Sequence, residues 1–512
     1  MTAFARALAQ ARPAEIALDD GRSQTGWAEL DDKLNRVANG LLGLDLGPER
    51  RVSVFAENAS ETAIAHIGGL IAGASTVPCN FHLTAPELAY ILSDSGSTVL
   101  FVGPETVDRG IEAAAEAGVE LVIGWRCGDR AGVVDWDGWL RRSAAGDPPT
   151  DMVPRPHLLY TSGTTGRPKG TDLPPTMFAG GATIAEHLEL LKRNRFADFA
   201  THMVVGPMYH TGPLSGARLL AAGKPSVILG RFDPEATLAA IERHRVETSV
   251  MVPTHFVRLL ALPEEVRSRY DVSSLKLITH TGAKCPVEVK RAMIDWWGPV
   301  FLEAYGASEV GTTNSINSEE WLAHPGSVGR TLPPFEAVIL DDRDQPAPPG
   351  VEGRLFFKDT TGRGIIYHND PAKTAAAHIA PGVFSLGEIA YMDEDGYVYI
   401  TDRFSDMVVS GGVNIYPAES ENVLIQHPEV ADVACIGVPH AEMGEELKAL
   451  VVPRDPAHPP SEAELLQFCR DRLTHYKCPR SVDFVETVGR TTMSKVNKRA
   501  LRAPYWERST SV

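Results

Sequence analysis

YTSGTTGRPKG, residues 160–170, packs three glycines, four Ser/Thr hydroxyls and two cations into eleven positions. Gly163, Gly166 and Gly170 open backbone conformations closed to other residues. Thr161, Ser162, Thr164 and Thr165 add donors, and Arg167 and Lys169 add positive charge. A loop of this kind wraps its N–H groups around a polyphosphate. The run HLLY before it reads as a buried strand, so the loop is expected to leave a strand end, where ligands gather in open α/β sheets. The spacing excludes the common nucleotide loop, which needs Gly, four residues, then Gly-Lys-Ser/Thr. Here two residues separate Gly163 from Gly166, and Lys169 is followed by Gly170. A glycine pair alone would suit a polar surface loop. Hydroxyls, cations and a preceding strand together favour phosphate.

Outward from the loop, short apolar runs recur: RVSVFAE, STVLFVG, ELVIGW, HMVVGP, PSVILG, TSVMVP and LKLITHTG. Helical patterns lie between many of them, such as CPVEVKRAMIDWW and DPEATLAAIERHR. The latter has apolar residues at helical spacing, acids early and bases late. The alternation predicts an α/β fold with largely parallel sheets. Residues 335–400 are rich in Gly, Pro and Asp, with short strands EAVILDD, GRLFFKD and GYVYITD, as in a small β-rich subdomain. After TDRFSD come a strand-like MVVSGGVNI and a helix PAESENVLIQH opening on Pro417. VADVACIGVP, ELKALVVP, the helix SEAELLQFCRDRL and a basic tail follow, the mix of a separate α+β domain. The expected organisation is a large N-terminal domain of α/β sheets, residues 1–402, and a small α+β C-terminal domain, residues 403–512.

A chain of 512 residues has room for more than one domain. Apolar content of 43% and charged content of 22% place it among soluble globular proteins. The net charge of -17 argues against a general nucleic-acid binder, which needs a basic face. The six cysteines form no C-x-x-C pair and are too sparse for a disulfide scaffold, so reduced thiols are expected. The N-terminus lacks the uninterrupted apolar core of a signal peptide. IAHIGGLIAGAS contains His66 and is too short to span a bilayer. A cytoplasmic protein without a transmembrane segment is expected.

Three further segments carry chemistry. In EAYGASEVG, residues 303–311, Tyr305 can stack on a base, Ser308 can bind phosphate and Glu309 can hold Mg²⁺. Taken alone, it suits a strand-turn with a surface acid. In FSLGEIAYMDEDGYVYITDRFSDMVVSGGVNIYP, Glu388 and Asp402 can bind ribose hydroxyls and Arg403 a phosphate, while DEDG marks a hairpin turn. In TTMSKVNKRALR, residues 491–502, Lys495 sits in a basic cluster with Lys498, Arg499 and Arg502. Such a run alone is a solvated tail.

In this order the segments resemble the AMP-forming acyl-CoA synthetase family, within the adenylate-forming superfamily that includes luciferase and peptide-synthetase adenylation domains. The resemblance runs from AGASTVPCNFHLTAPELAYILSDSGSTVLFV to the Lys495 segment. It implies that the loop, through Thr161, Ser162, Gly163, Thr164, Thr165, Gly166 and Lys169, binds ATP phosphates while a carboxylate is adenylated. It implies an adenine site at Gly282 and Ala283 of THTGAKCP with Tyr305 and Gly306, and phosphate contact at Ser308. Glu388 and Asp402 would hold ribose, Arg403 a phosphate, and Glu309 with Thr161 the Mg²⁺. Lys495 would offset charge gathering at the α-phosphate. His210, in PMYHTGP, would sit beside the acyl carboxylate, with His255, Phe256, His280 and Thr281 lining the acyl pocket. The small domain would be mobile, turning about a hinge at Ser405 between acyl-AMP formation and thiol attack. Gly411 and Gly412 would let the pantetheine arm of CoA pass, since glycine has no side chain to block it.

The resemblance further implies a medium- or long-chain fatty or steroid-type acid, an aryl acid being the other choice, and a monomer or homodimer. CoA is the expected acceptor because SGGVNIYP is typical of CoA users. A carrier-protein thiol is the alternative acceptor, and a non-catalytic ligand-binding relative the alternative class. This sequence departs from the family at Ser405, where Lys or Asp is usual, and at Glu388, where Asp is usual. It also has Met493-Ser494 before the lysine, and TDLPPT after Gly170.

Overall fold

The computed structural model describes residues 4–509 except 162–167, 175–176, 179, 197, 284, 342, 404–406, 490–495 and 497. A five-stranded parallel sheet forms first, in the order Ser75–Cys79, Arg51–Phe55, Val99–Val102, Leu121–Gly124, Val133–Asp135. Helices Ser60–Ile71, Ala85–Ser95 and Val107–Ala117 connect its strands. Its central strands are buried end to end, as a sheet covered on both faces requires. The apolar run containing His66 is the buried helix Ser60–Ile71. Among the described residues no helix is long and apolar enough to cross a membrane.

The second sheet has a parallel half and an antiparallel half. Strands Thr201–Val204, Val246–Met251, Leu277–His280 and Phe301–Ala307 run parallel in that order. The pattern then turns antiparallel through Gly311–Asn317 and Gly329–Thr331 into Tyr397–Arg403, Glu388–Met392 and Gly353–Asp359. The β-rich stretch is therefore hydrogen-bonded to the parallel sheet through Gly329–Thr331. Helix Pro234–His244 forms where the pattern placed it. Asp233 caps its N-terminus and Arg243 lies in its last turn, each charge matched to the helix dipole.

The C-terminal sheet pairs Val430–His440 with Gly444–Pro453, and Ser481–Phe484 joins in parallel. The stretch MVVSGGVNI is not one strand. It is a hairpin of Val408–Ser410 and Val413–Ile415. Gly411 (φ 57°) and Gly412 (φ 82°) make its turn. Two successive positive φ values fit the right-handed strand twist and favour glycine at both positions.

The strand before the phosphate loop is also corrected. Leu159–Thr161 pairs antiparallel with Lys169–Thr171 in a two-stranded ribbon separate from both large sheets. The loop thus joins two ribbon strands instead of leaving an open α/β sheet.

Candidate active site

A cavity of about 2110 Å³ is lined by residues of the large domain and of the C-terminal sheet. On its wall the ribbon places Thr161 directly opposite Lys169. Thr161 Oγ1 donates to Glu309 Oε1 at 3.2 Å. Glu309 sits on the turn between Phe301–Ala307 and Gly311–Asn317. Burial raises its carboxyl pKa, while the Thr161 hydrogen bond and the charge of Lys169 act the other way. Burial lowers the Lys169 ammonium, against the pull of Asp370 and Glu309. A half-desolvated carboxylate beside a hydroxyl is a hard-oxygen donor set. It suits Mg²⁺, which takes one or two carboxylates and completes its shell with water and phosphate oxygens.

Tyr305, Gly306 and Ser308 line the cavity beside Glu309, and Gly282, Ala283 and Glu388 line it too. Gly306 is required by close approach, because a Cβ there would overlap the carbonyl of Gly311 across the hairpin. The Glu388 side chain is buried, and its strand pairs with the one carrying Asp402 and Arg403. The side chains of Asp402 and Arg403, and Ser162, Gly163, Thr164, Thr165, Gly166, Ser405 and Lys495, lie outside the described residues.

His210 stands at the N-cap of helix Thr211–Ala217, with its side chain exposed on the cavity wall. Desolvation by the surrounding cavity walls, with a smaller push from His82, lowers its imidazole to about 4. It is neutral at physiological pH, so it can orient a carboxylate by a hydrogen bond but gives it no charge. His255 and Thr281 also face the cavity. His255 stacks on Phe232 with ring centroids 4.3 Å apart.

Two acyl-pocket assignments are corrected. Phe256 is fully buried and packs edge-on to Phe301 in the core behind the site. His280 is also fully buried, 3.7 Å from Glu303, which pairs with Lys290 at 2.6 Å. The reason is periodicity. Strand Leu277–His280 turns Thr279 to the cavity, so His280 faces the opposite side. One helical step of 100° likewise carries Phe256 inward from His255. The alternation was present in the sequence and points to Thr279 in place of His280.

The C-terminal sheet docks with its glycine hairpin on the large domain. A Cβ at Gly412 would lie 3.2 Å from Val252 Cγ1, and one at Gly282 would lie 3.8 Å from the Gly412 carbonyl. Arg258 Nε donates to Glu442 Oε1 at 2.5 Å. Lys477, only 2% exposed, spans Glu87 of the large domain (2.9 Å) and Glu419 (2.7 Å). Thr474 Oγ1 donates to Glu87 Oε2 at 2.6 Å. Lys477 was not expected at the site. THYKCPR reads as part of a solvated basic tail, and nothing local signals the acids that bury it.

The AMP-binding enzyme family matches residues 5–363, and the AMP-binding enzyme C-terminal domain matches residues 419–495. Feruloyl-CoA synthase of Amycolatopsis sp is 34% identical, covering 97% of this chain and 97% of its own. Indoleacetate–CoA ligase of Aromatoleum aromaticum is 30% identical, over 96% and 95%. A double mutant of the o-succinylbenzoate CoA synthetase from Bacillus subtilis, bound with its product analogue, is similar at a TM-score of 0.79 and 25% identity over 98% of each chain. The same enzyme in complex with its acyl-adenylate intermediate gives 0.63, again at 25% identity over 98% of each chain. With both its parts matched and its length shared with these ligases, the chain belongs to the AMP-binding enzyme family, the adenylate-forming group of the acyl-CoA synthetases.

Proposed function

We propose that this chain joins a carboxylic acid to CoA through an acyl-adenylate, releasing AMP and pyrophosphate. The observation that carries the proposal is one cavity walled both by the Thr161–Glu309 pair and by the Gly411–Gly412 turn. The first suits a nucleotide with its metal, the second a thin thiol-bearing arm. The likeness to a CoA-ligase product complex, closer than to the adenylate complex of the same enzyme, supports the view that this domain orientation serves thioester formation.

A carboxylate is a poor acyl donor because its leaving group would be oxide. Attack on the ATP α-phosphorus makes AMP the leaving group, and a thiol then displaces it. Glu309 and Thr161 would hold Mg²⁺, which when bound offsets charge on the phosphate oxygens. Lys495 is proposed as the cation for the first step and His210 as the group orienting the acyl carboxylate. The domain division at residues 402 and 403, with rotation about Ser405, is part of the same proposal. The acid is proposed to be larger than acetate, of aryl, steroid-type or medium-chain size. Both relatives named above act, by their names, on aromatic acids.

The test is pyrophosphate release with Mg-ATP over a panel of short, medium, long, aryl and steroid acids, with and without CoA, and with Lys495→Ala as control. CoA-dependent thioester formation abolished by Lys495→Ala supports the proposal. Adenylate without a CoA thioester points to a carrier-protein acceptor. ATP binding without turnover of any acid points to a non-catalytic relative.

A further inference from the structure

One end of the cavity is walled by Asn194, Arg195, Phe196, Ser215, Val250 and Thr279. Its place in the fold follows from register. Thr279 pairs with Val250 across neighbouring parallel strands, and Leu277 lies two residues before Thr279 on the same face. Phe196 packs on Leu219, Val250 and Leu277, which brings its neighbour Arg195 to this face. Helix Thr211–Ala217, with His210 at its N-cap, supplies Ser215.

This end carries hydrogen-bond donors that nothing in the protein uses. Arg195 is exposed on the cavity wall, and among the described residues it has no carboxylate within ion-pair distance. Thr279 is 7% exposed, and its Oγ1 is buried without a hydrogen-bond partner. Asn194 accepts the Phe196 N–H on Oδ1 at 3.0 Å, which turns its amide nitrogen outward as a donor. The buried Thr279 donor is costly while unsatisfied, and Arg195 becomes a desolvated cation without a counter-charge once a ligand covers it. A wholly apolar acyl tail would leave all of these groups desolvated and unpaired. A group bearing negative charge would satisfy them together, since guanidinium matches carboxylate in a two-point contact.

We propose that the acid activated by this enzyme carries a second carboxylate at the end remote from the reacting one, seated on Arg195, Thr279 and Asn194. This deepens the ligase reading and rests on it. The substrate class becomes a dicarboxylic acid activated at one end, in place of a plain fatty acid.

The experiment compares CoA-thioester formation from diacids with that from monoacids and monomethyl esters of matched length and ring content. It uses wild type, Arg195→Met, Arg195→Lys and Thr279→Val. Wild type is expected to favour the diacid in kcat/KM by about 10²-fold or more, because a site built around polar contacts rejects ligands that leave them unpaired. Arg195→Met should collapse or invert that preference, and Thr279→Val should reduce it by about tenfold. Arg195→Lys, which keeps charge but loses the two-point fork, should restore part of it. Isothermal titration of the diacid into each folded variant should follow the same order. Equal or better use of monoacids by wild type overturns the proposal while leaving the ligase reading intact. So does an Arg195→Met effect confined to the KM for CoA. Thioester formation from no acid at all defeats the ligase reading and the proposal with it.

Discussion

Glu87→Gln tests whether the contact between helix Ala85–Ser95 and the C-terminal sheet holds the orientation used for thioester formation. Glu87 accepts from Lys477 Nζ at 2.9 Å and from Thr474 Oγ1 at 2.6 Å. Lys477 is buried, so solvent screens the pair little. Burial by itself would raise the Glu87 carboxyl pKa, yet the charge of Lys477 and the hydrogen bonds from Lys477, Thr474 and Thr84 together outweigh it and hold the group below its ordinary range. Glutamine keeps the shape and one accepting oxygen but loses the charge. Its oxygen can replace Oε2 in the Thr84 capping box, so the helix stays capped, and its amide nitrogen then stands where Oε1 accepted from Lys477. Losing the bond from Lys477, which Glu419 still pairs, costs about 1–2 kcal/mol. That shifts the balance between domain orientations by about 5- to 30-fold. The assay is the ratio of two rates: ATP–pyrophosphate exchange for the first half-reaction, and thioester formation from preformed acyl-adenylate for the second. With orientations in rapid exchange this ratio follows the population ratio whichever state dominates. It should rise by about 5- to 30-fold in favour of exchange. An unchanged ratio, or one moving toward thioester formation, in a variant that melts near wild type would refute the reasoning.

Glu309→Gln should lower pyrophosphate release by about 10²–10³-fold and raise the Mg²⁺ concentration needed, read from a magnesium titration of the first half-reaction. Unaltered magnesium dependence would remove Glu309 from the metal site. Gly412→Ala places a Cβ 3.2 Å from Val252 at a φ of 82°. The left-handed conformation adds about 1–2 kcal/mol for a residue with a side chain. Stopped-flow measurement should find thioester formation slowed by about tenfold, with pyrophosphate exchange nearly intact. Equal loss in both steps would contradict a role confined to the thiol arm. Acid should destabilise the protein well above the carboxylate range. Burial lowers His66, His202 and His255 to about 3, and His187 to about 4. Each folded value lies below the unfolded one. Below about pH 6.5 the unfolded chain therefore binds more protons, and stability falls as pH falls toward 4, by up to about 1.4 kcal/mol per pH unit for each histidine. Urea midpoints at pH 7.5 and 5.0 should show the drop, and a midpoint that holds or rises would refute it.

Much of the molecule was legible before its structure. Helix Pro234–His244 was marked by its cap, its apolar spacing and its charge order, all local properties of consecutive residues. The α/β alternation and the β-rich stretch followed from the same kind of pattern. The candidate site was legible in part through its motifs, which bring Thr161, Glu309, Tyr305, Gly282, Glu388 and Gly412 to one cavity. What the tertiary structure decided is which face each residue presents and which distant partner it meets. Phe256 and His280 belong to the core because one helical step or one strand step turns each away from a cavity-facing neighbour. The glycine run became a hairpin because two positive φ values reverse the chain. Lys477 reads as surface charge until Glu87, almost four hundred positions earlier, and Glu419 close over it. Arg195 reads as one more base in KRNRF until Phe196 is drawn onto the strands behind the cavity. Sequence carries periodicity and local chemistry. Burial and charge pairing are set by contacts between residues far apart in the chain, and they exist only once it has folded.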